Sequence, residues 1–107
     1  MLSPVGQYLY ATLNGDSRVV KIDTNTGTVV ARVATGSQPR SMAISTDGTA
    51  LYVVNYQSNS ITKVRASDMS IVQTIGVGSH PIGITFEPST RRVWVACYSG
   101  EILVFGS

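Results

Sequence analysis

The 107-residue sequence predicts an all-β fold built from repeated units of four short antiparallel strands. Three observations predict it. The chain repeats itself with a period of 42 residues, its apolar residues fall in short runs rich in Val, Ile, Thr and Tyr, and clusters of Gly, Pro, Asn, Asp and Ser separate those runs. Helical spacing of apolar residues is nowhere sustained for the roughly 11 residues that would indicate a helix.

The repeat becomes visible when the sequence is shifted by 42 residues. The first two full-length copies then share seven identities without a gap, and these identities fall on turn residues and on apolar positions together. The third copy is one residue shorter after Tyr98, so that Ile102 aligns with Ile61. One recurring aromatic position, which we expect to pack between neighbouring units, comprises Tyr10, Tyr52 and Trp94.

Each period holds four predicted strands, named a to d. In the middle copy they span 40–46, 49–55, 60–65 and 70–76, and turn-forming residues separate them. Four short antiparallel strands in about 42 residues are typical of one blade of a β-propeller. We therefore interpret residues 1–107 as a single partial propeller domain of about 2.5 blades. Its repeats cover 1–39 (strands b–d), 40–81 (strands a–d) and 82–107 (strands a–c).

The repeats resemble the YVTN-type β-propeller family. The resemblance rests on the run STDGTALYVVN at 45–55, on KIDTNTGTVVARVATG at 21–36, and on the Gly-Ser-x-Pro link at 36–39 and 78–81. It implies a fold rather than one function, because such propellers serve as lactonases, dehydrogenases, binding scaffolds and surface proteins. It also favours a periplasmic or cell-surface location, although the chain does not begin with the pattern of a signal peptide.

The number of blades predicts what the chain associates with. A ring of four such blades would already need about 168 residues, so we do not expect this chain to close a propeller alone. Open end blades would leave apolar sheet faces in water. We therefore expect association with itself, with a six-bladed dimer favoured, or with missing blades of a longer chain. The net charge is only +2, and we expect the scattered basic residues to lie at solvated strand ends, so binding of nucleic acid is not favoured. No apolar run is long enough for a membrane helix.

The function favoured by the sequence is a non-catalytic binding or scaffolding module, or a fragment of a larger YVTN-repeat protein, natural or engineered. One cysteine and one histidine exclude multi-cysteine and two-histidine metal sites. No residue spacing indicates a catalytic triad or dyad, and we expect no cofactor and no catalytic residue. The alternative is part of a propeller enzyme, lactonase-like or quinone-dependent dehydrogenase-like, with its site at the channel mouth.

The resemblance places the d–a links and b–c turns at one rim of the channel, where propellers commonly bind ligands. The candidate ligand-binding residues at this rim are Gln38, Arg40, Tyr56, His80 and Tyr98. His80 could act as a base or a ligand near neutral pH. It fills the variable position of its link, where the preceding copy has Gln38, so a structural role in the loop is favoured over proton transfer. Cys97 is expected to be a packed thiol on a strand.

Overall fold

The computed structural model describes residues 3, 6–77, 80–98 and 100–106. The first sheet consists of β1 (Tyr8–Leu13), β2 (Arg18–Asp23) and β3 (Thr28–Ala34), with a single 3₁₀ turn at Asn14–Asp16. The middle sheet consists of β4 (Pro39–Ile44), β5 (Ala50–Asn55), β6 (Ser60–Arg65) and β7 (Ser70–Gly76). The third sheet consists of β8 (Pro81–Glu87), β9 (Arg92–Cys97) and β10 (Ile102–Gly106).

All three sheets are antiparallel, and strands that are neighbours in sequence are neighbours in each sheet. This confirms the all-β class and the sheets of short hairpin-connected strands. Each strand of the middle sheet lies within two residues of its predicted bounds. The agreement has a simple cause: runs of β-branched residues suit the pleated strand, and the polar clusters between them suit tight turns.

The backbone repeats the 42-residue period as clearly as the sequence does. Left-handed φ angles recur in pairs at this spacing, at Gly6 and Gly48, Ser17 and Asn59, Gly27 and Met69, and Gln38 and His80. Register shifts recur in the same way, at Pro39/Ser41 and Pro81/Gly83, and at Lys21/Ile22 and Lys63/Val64. Three of the four φ pairs differ in residue type. The sheet architecture, rather than glycine alone, therefore sets these turns.

Two apolar cores hold the sheets together. The core between the first and middle sheets includes Tyr10 and Leu51, and the core between the middle and third sheets includes Tyr52 and Ile61. Successive residues of β5 point to opposite faces of the sheet, as the period of a strand requires. Consequently β5 is buried on both faces of the middle sheet, and each outer sheet is covered by a neighbour on one face.

The recurring aromatic position does not have one environment in all three sheets. Tyr10 and Tyr52 are buried between sheets, as expected. Trp94 is 39% exposed, and its Nε1 donates a hydrogen bond to Glu87 Oε1 at 3.0 Å. The expectation of packing between units is therefore wrong for Trp94 in the part of the chain that the structure describes. The physical reason is that the neighbouring sheet covers only the opposite face of β9.

Candidate functional site

The links that enter the middle and third sheets reach the same rim as the turns after the second strand of each sheet. Gln38 and His80 close these links with left-handed φ angles of 54° and 48°. The Gln38 carbonyl accepts a hydrogen bond from the Tyr56 amide at 3.0 Å, and the His80 carbonyl accepts one from the Tyr98 amide at 2.9 Å. The two residues thus have the same backbone role, which agrees with the loop role favoured for His80.

Three of the five candidate residues form a compact group, which we call the Arg40–Tyr56–His80 stack. The Tyr56 and His80 rings have centroids 4.6 Å apart and planes inclined by 13°. Arg40 Cζ lies 4.0 Å from the centroid of the Tyr56 ring, within the range of a cation–π contact. Arg40 and Tyr56 belong to the middle sheet, whereas His80 belongs to the link into the third. The stack therefore bridges two sheets at the rim.

Two hydrogen bonds fix the orientation of His80. Its backbone amide donates to Asn59 Oδ1 at 2.8 Å, and its Nδ1 lies 3.1 Å from the Tyr56 carbonyl oxygen. A carbonyl oxygen can only accept, so Nδ1 carries the proton in this bond. In the neutral ring, Nε2 then keeps its lone pair and is the nitrogen that can accept a hydrogen bond or bind a metal ion.

The other two candidates join the stack through the backbone hydrogen bonds described above. Gln38 is half-buried, and the side chain of Tyr98 is 74% exposed. All five residues predicted from the sequence therefore lie at one rim. Ring contacts unite only Arg40, Tyr56 and His80.

Among the described residues, no carboxylate forms an ion pair with Arg40. The ion pairs within the described ranges join Arg65 to Asp68 at 3.4 Å and Arg91 to Asp47 at 4.0 Å. Arg40 is exposed, and its Cζ lies over the ring of Tyr56. The rim consequently presents a solvent-accessible cation that is held against an aromatic ring.

Sequence reasoning missed Asn55, which lies beneath this rim at the end of β5. Its side chain is fully buried, and Nδ2 donates to Thr62 Oγ1 at 2.8 Å. Its Oδ1 has no hydrogen-bond partner among the described residues. Gly36 approaches so closely that a Cβ there would stand 2.9 Å from Asn55 Cγ. The available signal was a polar residue at a strand position where the other copies carry leucine and cysteine.

Cys97 is buried, as expected for a packed strand residue. Across residues 3, 6–77, 80–98 and 100–106, no group of three His, Cys, Asp or Glu side chains could hold a metal ion. Among the described elements there is also no helix with the length and apolar character needed to span a membrane.

Solved structures extend the description of the fold. The chain is similar to hydrazine synthase from Kuenenia stuttgartiensis, with 31% identity and a TM-score of 0.95, over 99% of this chain and 31% of that chain. It is similar to dihydro-heme d1 dehydrogenase NirN in complex with DHE, with 28% identity and a TM-score of 0.87, over 99% and 24% of the two chains. A putative 6-phosphogluconolactonase from Bacteroides uniformis shares the fold, with 19% identity, a TM-score of 0.84, and 99% and 34% coverage.

The chain thus spans less than a third of the first two of these proteins. A search among curated proteins gave no significant match. The structural neighbours are β-propellers, so the partial propeller predicted from the repeats is confirmed. The matching family model does not name the YVTN type that the motifs indicated. Residues 1–99 match the family described as the Cytochrome D1 heme domain, and the chain therefore belongs to the cytochrome d1 heme domain family.

Proposed function

We propose that the chain is one arc of a larger β-propeller, and that this arc binds a planar anionic ligand at the rim of the Arg40–Tyr56–His80 stack. The stack is the observation that carries the proposal. The Arg40 guanidinium has no carboxylate partner within the described ranges, and it lies 4.0 Å from one ring of a stacked aromatic pair. Guanidinium groups bind carboxylates through paired donors, and aromatic side chains favour contact with flat π systems.

The family name implies a heme, and the chemistry of the rim residues fits such a group. Arg40 would hold peripheral carboxylates, Tyr98 offers an exposed aromatic ring, and the Nε2 lone pair of His80 suits iron. A bound heme would supply the redox chemistry of its iron. The residues of this chain would bind and orient it, and Tyr56 would keep Arg40 and His80 in position through its two ring contacts.

The arc interpretation is supported by the lengths of the relatives. The match covers 31% of the hydrazine synthase chain, and about 2.5 blades are close to a third of an eight-bladed ring. Missing blades of a longer chain are therefore our preferred cover for the open sheets, and a dimer of this chain is the other arrangement. In either case another blade-type sheet covers the open face. The blades of this chain, which that sheet must match, have YVTN-type repeats.

Within the arc we propose a binding role rather than a catalytic one, because Nδ1 and the backbone of His80 are both engaged in holding the link. A second candidate, part of a propeller enzyme, is favoured by the names of two relatives, a synthase and a dehydrogenase. The two candidates differ in what His80→Gln should do. A binding role predicts weaker ligand affinity, whereas a catalytic role predicts lost turnover of the assembled propeller at unchanged affinity.

A periplasmic or cell-surface location is part of the proposal. It is supported by membership of the cytochrome d1 heme domain family and by the YVTN resemblance. Fractionation of cells that express the natural gene would place the protein in the periplasm or at the surface, and recovery in the cytoplasm would contradict this part.

The binding proposal can be tested by titrating the 107-residue chain with hemin and following the absorbance spectrum. We expect saturable binding that weakens by about tenfold in Arg40→Gln, since one charge-assisted contact is lost. His80→Gln should also alter the absorbance spectrum of the bound hemin, because the imidazole is lost. Glutamine fits this backbone, since Gln38 has the same left-handed conformation in the preceding link. Arg32→Gln, an exposed arginine on β3, is the matched control. Binding that is absent, or equal in all four proteins, would contradict the proposal.

A further inference from the structure

A cleft lies at the opposite rim, between the first and middle sheets, and it is independent of the function proposed above. Its volume is about 570 Å³, which is within the range of small-molecule sites. The turn that precedes β5 and the turn that follows β6 form one wall, and the ends of β1 and β2 form the other. The residues important here are Tyr8, Lys21, Ala50, Lys63, Arg65 and Val72.

Lys21 is the residue that gives this cleft its chemistry. Its side chain was expected at a solvated strand end, yet the residue is only 7% exposed. Its Nζ donates to the Ala66 carbonyl oxygen at 2.8 Å and lies 4.1 Å from the centroid of the Tyr8 ring. Among the described residues, its partners are this neutral carbonyl and this ring, so the buried ammonium group is incompletely compensated there. Such a group attracts an anion strongly, because solvent screens it weakly.

The other charged side chains of the lining leave Lys21 as the cation of the cleft. Arg65 is paired with Asp68, and the Nζ of Lys63 lies 5.7 Å from the ring centroid of Tyr52, which packs between the middle and third sheets. Asp47 is the acidic residue of the lining. Its Oδ1 accepts hydrogen bonds from Ser45 and Thr49, and its Oδ2 lies 4.0 Å from Arg91. Asp47 is therefore already engaged, and it does not form a described ion pair with Lys21.

We propose that this cleft binds a small organic anion, a carboxylate or phosphate ester with an apolar body, whose charged group is held by Lys21. The cationic centre accounts for the anionic group. The apolar part of the wall, which includes Tyr8, Ala50 and Val72, accounts for the apolar body. Both sheets that form the cleft belong to this chain, so the site can be tested without other blades.

Phenyl phosphate is a suitable probe, and amide chemical shifts measured by NMR would locate it. We expect shifts at Thr49, Ala50 and Ala66, and an increase in the dissociation constant of about tenfold in Lys21→Met. Inorganic phosphate, which lacks the apolar body, should bind more weakly, and benzamidine, which is a cation, should not bind at this cleft. Arg32→Met, on an exposed strand position, is the control for a general loss of positive charge.

Because Lys21 is buried, its replacement can disturb folding, and a second variant keeps the test decisive. Val72→Trp fills the cleft from a residue that is itself half-exposed, and it leaves Lys21 intact. We expect this variant to keep the dispersed amide NMR spectrum of a folded chain and to lose phenyl phosphate binding. Shifts that map to the Arg40 rim, or affinities that Lys21→Met and Val72→Trp leave unchanged, would overturn the proposal.

Discussion

The middle and third sheets have equivalent sequences but unequal surroundings. Tyr52 is 1% exposed and stacks with Phe86 at a centroid distance of 6.3 Å, whereas its equivalent, Trp94, is 39% exposed. Ile61 is fully buried, whereas its equivalent, Ile102, is 68% exposed. The registers agree, since Ile61 pairs with Val54 and Ile102 pairs with Ala96, 42 residues further on.

A blade therefore does not bury its own apolar face. Each sheet has two apolar faces, and each face is covered only where another sheet packs against it. The middle sheet has a neighbour on both sides, but the described chain supplies only one for the third sheet. The exposed face of β9 and β10 therefore has the composition of a core and the exposure of a surface.

The largest expected effect comes from a matched pair of isoleucines. Ile61→Ala removes a fully buried side chain between two sheets, so we expect a loss of about 3 kcal/mol in the free energy of unfolding. Ile102→Ala removes the same atoms from an exposed position, and we expect a loss below about 1 kcal/mol. Urea denaturation measures both. Equal losses would mean that the third sheet is covered as fully as the middle one.

A second comparison concerns the strand end beneath the rim, where the middle sheet has Asn55 and the third has Cys97. A Cβ at Gly36 would stand 2.9 Å from both Asn55 Cγ and Ser58 Oγ, and the buried Asn55 cannot move aside freely. We expect Gly36→Ala to destabilise the chain by about 2 kcal/mol.

Gly76→Ala is the control for the loss of a glycine from this sheet. A Cβ there would meet no atom within 4 Å, so we expect little change or a gain of about 0.5 kcal/mol. Thermal unfolding of both variants measures the difference. If Gly36→Ala were as stable as Gly76→Ala, the close packing between this link and Asn55 would not exist in solution.

The smallest expected effect concerns the pKa of Asp47, in the turn before β5. Asp47 lies 4.0 Å from Arg91 of the third sheet, so this turn links the two sheets electrostatically. Hydrogen bonds from the Ser45 hydroxyl, and then from the Thr49 hydroxyl and amide, lower the pKa of Asp47 from 3.8 to about 2, and Arg91 adds to this. Because the pKa of Asp47 is lower in the folded chain, its ionised carboxylate stabilises the fold at pH values above the ordinary pKa of 3.8. This stabilisation is lost as the pH falls through about 2.

NMR titration of the side-chain carboxyl groups would measure this directly. Asp68 has its pKa lowered by the Ser70 hydroxyl and amide, and the pKa of Glu87 is lowered by Thr90 and Trp94, so these groups are internal references. We expect Ser45→Ala to raise the pKa of Asp47 and to leave that of Asp68 unchanged. An Asp47 carboxyl that titrates near 3.8 in the unmodified chain would show that the turn is not formed.

The sequence alone could predict the strands and the rim because both follow from local pattern. Period-two runs and turn residues recur every 42 residues, so Gln38 and His80 had to occupy equivalent links. The ring contact between Tyr56 and His80 could not be predicted. Residues 24 apart can share a rim without touching, and the distance between them depends on how two sheets are inclined.

The burial of individual side chains could not be predicted from the local sequence pattern either. Lys21 was expected at a solvated strand end, but the Ala66 carbonyl of the next sheet supplies it with a buried partner. Trp94 was expected in a core by analogy with Tyr52, but its cover would have to come from another sheet. In both cases the deciding contact lies between sheets, where alternation within one strand carries no information.

Light scattering across a range of protein concentrations measures whether the exposed face of the third sheet associates, because an apolar blade face without a neighbour should pack against another. We expect the 107-residue chain to associate above its 11.4 kDa monomer mass as concentration rises. Ile102→Lys, which places a charge on the exposed face of β10, should return the chain to a monomer. If the unmodified chain stayed at 11.4 kDa at every concentration, the exposed face of the third sheet would not need another sheet to cover it.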